Sequence, residues 1–394
     1  MYISAAGLLS TAVGLGVLLQ KDPFGITDED GKIKKGEDTS KDISGSSSKL
    51  QLETSSGAPA FPNTGGPPVL RVPGQDDSLQ QVPTGNSSVP YFPITITLPA
   101  KVDASSSSSL GLKQGDEVPV LPPPSTPGSA TTTESTESER GEEYQLLGLG
   151  IRAVSFLRIQ VYVVGLYVAK SDIAELQKLL VRTAIRPPGG DEEAGTSSYV
   201  ADAATSLVPK ERQQLKELLL DPERSTVLWN DIVKKSQQKQ GQGQGGQAEH
   251  GIRTVLRIVP TRNTDFIHLR DGFVRGITQR ATTAAKEGNE EFHDESFGNS
   301  LNDFKAVFGG GGFRKSVPKG QTLLLHRNVH GVFDALYQSA PAEPMRWMGR
   351  VYDERISRLV WLHYLGGKTV ASEPARQSIV EGVMGVVERP VGTV

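Results

Sequence analysis

The chain contains no cysteine, which excludes a disulfide framework, a thiolate nucleophile and Cys-ligated zinc or iron–sulfur centres. Histidine is scarce: six residues, scattered rather than grouped at zinc-ligand spacing. Positive charge is not in surplus, since 42 Lys and Arg stand against 45 Asp and Glu for a net charge of −3. That balance excludes a strongly basic polyanion binder, so no nucleic-acid partner is expected. Neither a Gly-x-Ser-x-Gly elbow nor a His-Glu-x-x-His helix occurs, so serine hydrolases and zinc proteases lack their local signatures here. The run Gly309 to Gly312 lacks the Gly-Lys-Ser junction of a phosphate loop, because Arg314 precedes Lys315, and it reads as a glycine loop.

Glycine and proline are plentiful, at 43 and 25 residues, and they are unevenly placed. Between Lys21 and Arg140, 58 of 120 residues are Ser, Thr, Gly or Pro, and these include 15 of the 25 prolines. Such a stretch offers little apolar surface to bury, so residues 21–141 are expected to form a disordered tether. Its most apolar island runs from Val89 to Leu98, where Ile94 and Ile96 alternate with threonines. This is a docking-strand candidate, and Pro90, Pro93 and Pro99 argue against a central position for it. Ahead of the tether, Tyr2 to Gln20 carries no charge. Nineteen helical residues reach roughly 28 Å, enough for a bilayer core, so residues 2–20 are expected to span a membrane.

From residue 142 to 394 the pattern becomes that of a single domain. Val161 to Val168 is β-branched, aromatic or apolar on both faces, as in a buried strand. Ile173, Leu176, Leu179 and Leu180 then share one helical face after a Ser171 or Asp172 cap. Lys210 to Lys235 reads as a helical region broken near Asp221-Pro222, and residues 236–248 as a flexible Gln/Gly insertion. Further strands are expected at 253–259, 323–326, 332–337 and 347–352. Helices are expected with Phe266, Leu269, Phe273 and Ile277 on one face, from Glu354 to the Gly366-Gly367 stop, and from Pro374 onward. Strands and helices that segregate in this way define an α+β fold.

One cation is conspicuous. Arg152 lies in the apolar run Gly148-Leu149-Gly150-Ile151-Arg152. A guanidinium at pocket depth cannot deprotonate. It needs a ligand anion, a carboxylate or several carbonyls, unless it simply snorkels to solvent.

That segment, the Gly165-Leu166-Tyr167 strand, the Val259-Pro260 to Asp265 helix entry, and Ile356-Ser357 through Gly366 together resemble the chalcone isomerase-like family. The wording Arg262-Asn263-Thr264-Asp265-Phe266 with Arg270-Asp271-Gly272-Phe273 is similar to its fungal mitochondrial branch. The resemblance implies an open-faced β-sandwich, a large antiparallel sheet covered by helices, with a ligand cleft between them. It also implies a mitochondrial protein, on the inner membrane. In plant members the corresponding arginine holds the oxyanion during cofactor-free cyclisation of a chalcone, a role that would fall to Arg152. The family's pocket tyrosine and asparagine fall on Phe266 and Phe273, its strand threonine near Tyr162, and its late threonine or serine on His363. Two phenylalanines cannot donate the hydrogen bonds that orient a flavonoid. The resemblance therefore implies an apolar anionic ligand. Haem comes first, with carboxylate on Arg152, iron on His363 and aromatic walls from Phe266 and Phe273; a fatty acid and an intramolecular lyase reaction are the alternatives.

Overall fold

The two longest strands form one hairpin, β5 (Glu142–Val154) and β6 (Ile159–Ala169), of which β6 is rich in β-branched and aromatic residues. The computed structural model describes residues 80–99, 112–118, 141–154, 157–187, 207–235, 251–309 and 316–388. Four short strands precede the hairpin: β1 (Gln81–Pro83), β2 (Tyr91–Pro93), β3 (Thr95–Leu98) and β4 (Glu117–Val118). After it come α1 (Ile173–Ile185), α2 (Pro209–Leu220), α3 (Ser225–Lys235), β7 (Thr254–Pro260), β8 (Thr264–Asp265), α4 (Phe266–Lys286), α5 (Glu295–Gly309) and β9 (Ser316–Val317). β10 (Thr322–Arg327), β11 (Phe333–Gln338), β12 (Met345–Val351), α6 (Glu354–Leu365) and α7 (Glu373–Glu388) complete the order.

Eight strands make one antiparallel sheet in the order β3-β5-β6-β7-β10-β11-β12-β4. Both of its edges come from stretches of the segment expected to be a disordered tether, which corrects that expectation for residues 80–99 and 112–118; residues 21–79, 100–111 and 119–140 lie outside the described residues. β3 pairs with β5 in the register Ile96↔Tyr144 and Leu98↔Glu142, and β4 pairs with β12. The physical reason is burial: Leu98 and Val118 are almost wholly inaccessible and share one core cluster with Tyr144, Val255 and Leu336. Side chains from opposite edges meet there, so the sheet is curled. The proline-flanked island does sit on an edge, as its missing N–H groups require. The membrane-span expectation at 2–20, the Gln/Gly insertion at 236–248 and the glycines 310–312 lie outside the described residues. Among the described residues no helix is long and apolar enough to cross a membrane.

The two sheet faces are covered differently. On one, the β1–β2 hairpin packs Val82, Val89 and Phe92 against Val163 and Val259. On the other lie the helices, and α7 approaches β5 so closely that side chains are excluded. A Cβ on Gly148 would stand 2.4 Å from the Ile379 backbone nitrogen, and one on Gly150 would stand 2.2 Å from that of Ala375. These glycines seat the helix on the strand just before Arg152.

Two local expectations fail for tertiary reasons. Asp172 sits at the start of α1 without a side-chain cap bond. Its carboxylate is buried instead against Arg253, accepting from the backbone N–H at 2.9 Å and from Nε at 2.8 Å. Helix α5 was not foreseen at all, although Phe297, Phe304, Val307 and Phe308 mark its buried face.

Candidate functional site

Antiparallel register places Arg152 directly opposite Tyr162 on the helix-covered face, near the end at which β5 connects to β6. Helix α6 brings His363 and Tyr364 over them. Arg152 Nη1 donates to His363 Nε2 at 3.1 Å, and the Arg152 guanidinium carbon lies 5.7 Å from the Tyr162 ring centre. The Tyr162 and Tyr364 hydroxyls are hydrogen-bonded at 2.7 Å. On the far side of the imidazole is α4, where a Cβ on Gly276 would fall 2.7 Å from His363 Nδ1. Only glycine lets the ring occupy that position.

The electrostatics are lopsided. Burial lowers the His363 pKa to about 3, helped by the nearby Arg152 and Arg280 guanidinium groups, so this imidazole is neutral at physiological pH. Tyr364 is pushed well above the usual phenol range by burial and by its Tyr162 neighbour, which keeps it a neutral hydroxyl. For Arg152, burial acts downward, yet the facing phenols of Tyr162 and Tyr364 outweigh it and the net direction is upward. It remains a cation. Arg280 spends Nη2 on the Gly366 and Thr369 carbonyls, at 2.7 and 3.2 Å, beyond the end of α6. Burial lowers its pKa to about 10.

Arg152 Nε and Arg280 Nε are buried and have no hydrogen-bond partner. Neither arginine pairs with a carboxylate among the described residues. A buried donor left unmade costs on the order of 1–3 kcal/mol, more when it is charged. Two cations and two neutral phenols thus lie around the neutral His363 imidazole, with no anion beside them among the described residues. Chemically, this arrangement suits a carboxylate or a developing oxyanion.

The structure therefore brings together Arg152, Tyr162 and His363 of the five residues expected from sequence. Phe266 and Phe273 take other places. Phe273 packs against Phe304 and Phe308, with ring centres 6.4 and 5.9 Å apart, and Phe266 meets Tyr337 edge-on at 5.2 Å. Both side chains are buried among these aromatic neighbours, at 2% and 3% exposure.

As it stands in the fold, His363 does not fit the role of a haem-iron ligand. Its Nε2 lone pair is engaged by Arg152, and its Nδ1 edge lies against the backbone of α4, so neither nitrogen faces open space. Among the described residues no group of His, Asp or Glu is placed to hold a metal ion.

Sequence reasoning missed Tyr364 and Arg280. The first could have been found as the helix neighbour of His363, and the second as the residue one turn beyond Gly276. It missed equally the polar cluster on the opposite face. There Tyr144 OH lies 3.0 Å from His326 Nε2, and the Asp334 carboxylate takes Arg350 Nε at 2.9 Å and the Trp347 indole N–H at 3.1 Å. These residues come from four separate strands, so no local pattern groups them.

A curled antiparallel sheet with helices on one face and a buried arginine in its first long hairpin defines an α+β domain. The chain belongs to the chalcone isomerase-like family, whose model matches residues 142–380. It is 32% identical over 252 residues to altered inheritance of mitochondria protein 18, mitochondrial, of Debaryomyces hansenii, covering 64% of this chain and 70% of that one. The protein of the same name in Eremothecium gossypii is 29% identical over 245 residues, covering 62% and 67%. Among solved structures, an Arabidopsis thaliana fatty-acid binding protein aligns at 16% identity with a TM-score of 0.39, covering 62% of this chain and 91% of that one.

Proposed function

We propose that this chain is a mitochondrial protein that holds an apolar carboxylate of the fatty-acid class, with the ligand head on Arg152. The carrying observation is the buried, unpartnered Arg152 Nε in a site without a carboxylate. Arginine presents two parallel donors to a carboxylate, and the Tyr162–Tyr364 hydroxyl pair adds a neutral donor beside them. The mitochondrial address is supported by the names of the relatives. The uncharged stretch 2–20 would tether the domain to the inner membrane.

Haem with iron on His363 does not fit the residues as they stand. A second reading, intramolecular lyase chemistry, is favoured by the phenol pair next to Arg152, where a developing enolate oxygen would meet both a cation and a hydroxyl donor. The experiment is native mass spectrometry of the full chain, followed by titration with a long-chain fatty acid and with a chalcone. Fatty-acid binding that weakens in Arg152→Ala supports the first reading. Accelerated, Arg152-dependent flavanone formation replaces it with the second, and the absence of both overturns the assignment of this site.

A further inference from the structure

The end of the sheet nearest Arg152 has a composition that the ligand site does not explain. Two residues beyond Arg152, β5 ends at Val154, opposite Ile159. The turn between the strands carries Leu157, half exposed at 50%, and Arg158, which has φ +50°. Arg158 is the one non-glycine residue in the left-handed region among the described residues. Strain of that kind at an exposed turn is kept where a side chain must be presented.

Other segments are pinned to the same end. Thr261 donates its backbone N–H to Val161 O at 3.0 Å and its hydroxyl to Gln160 O at 2.9 Å, fixing Arg262 beside the hairpin. Lys319 N–H donates to Asn263 Oδ1 at 3.1 Å, and Gly320 N–H to Pro260 O at 2.9 Å. Ile267, 40% exposed, opens α4 next to them. Arg158, Arg262 and Lys319 are all exposed, and none forms an ion pair among the described residues. The neighbouring carboxylate, Asp265, is taken by His268.

We infer that this end, with Leu157 and Ile267 as apolar points and Arg158, Arg262 and Lys319 as cations, docks on an anionic lipid bilayer and turns the Arg152 site toward it. Charge complementarity selects the occupant: three unpaired cations among apolar tips suit lipid headgroups, to which each basic residue adds attraction within a Debye length. Distance supports it as well. Leu157 follows Arg152 by only five residues, at most about 17 Å of chain, a short path for an acyl carboxylate between bilayer and site. The inference rests on the apolar-carboxylate reading, and its test separates the two.

The chain has no cysteine, so Leu157→Cys provides a single labelling position in the full-length protein, and Lys178→Cys on α1 provides a reference away from the hairpin turn. Each variant, carrying an environment-sensitive fluorophore, is mixed with phosphatidylcholine vesicles with or without phosphatidylglycerol. The label at 157 should shift to the blue only with phosphatidylglycerol, and the label at 178 should not. Adding Arg158→Glu with Arg262→Glu should reduce the shift to the reference level and leave fatty-acid affinity in vesicle-free solution unchanged. Equal responses at 157 and 178, or a response indifferent to phosphatidylglycerol, overturns the inference. If docking fails while Arg152-dependent binding persists, only the docking surface falls. If docking holds while binding is absent, the ligand reading falls and the inferred delivery route falls with it.

Discussion

The two faces of the sheet each hold an arginine that has no carboxylate partner among the described residues, and they treat it in opposite ways. On the helix side Arg152 keeps a buried Nε with no acceptor, beside a neutral imidazole. On the other side Arg257 is half-buried, with an Nη1 that also lacks an acceptor. There, however, the guanidinium lies flat under Phe92, 4.3 Å from the ring centre, and Nη2 reaches Thr322 Oγ1 at 3.2 Å. Burial lowers its pKa, and the fully buried Tyr167 phenol opposes that shift. Burial of a cation therefore does not by itself define a site. Each guanidinium keeps one donor without an acceptor, so the difference lies in the surroundings: Arg257 sits against the Phe92 ring, whereas Arg152 faces a neutral imidazole and a pair of phenol hydroxyls.

The comparison can be broken from either side. The largest expected effect is on the helix face. Gly150→Val drives a side chain into the backbone of α7 and should cost more than about 4 kcal/mol in denaturant unfolding, removing ligand binding with it. Next is Phe92→Ala, which strips the cover from Arg257 and should cost roughly 3–5 kcal/mol while leaving the Arg152 site intact. Loss of binding in that variant would show that the faces are coupled.

A smaller effect comes from the charge itself. Arg152→Ala should weaken carboxylate binding by roughly 10- to 100-fold, the worth of one or two charge-assisted hydrogen bonds, whereas Arg257→Met should leave binding unchanged. Smallest is the acid limb of stability. His363 has its folded pKa lowered from 6.5 to about 3, so the unfolded chain binds more protons between those values and stability falls as pH drops through that window. His363→Gln keeps an acceptor for Arg152 and should flatten that part of the pH–stability curve. An unchanged curve would mean that the imidazole is not held neutral.

Much of the fold was legible because its long strands and helices bury apolar faces at periods of two and 3.6. The edge strands β3 and β4 were not, since four and two residues among prolines and serines gain their burial only from partners far along the chain. Asp172 shows the same limit: its local pattern says helix cap, and its actual partner is 81 residues away. At the site, Arg152 was visible as a cation out of place, and its glycines as part of the same segment. The need for those glycines was not visible until α7 lay on them. His363 was legible as a residue of the same cleft as Arg152, but no sequence pattern reveals that its Nε2 accepts from the arginine.

The central claim is that Arg152, and not a buried arginine in general, receives an anionic head group. Fatty-acid titration of the full chain beside Arg152→Ala and Arg257→Met tests it most directly. We predict saturable binding by the parent, retained in Arg257→Met and weakened at least tenfold in Arg152→Ala. Equal binding by all three proteins, or a loss confined to Arg257→Met, would contradict it.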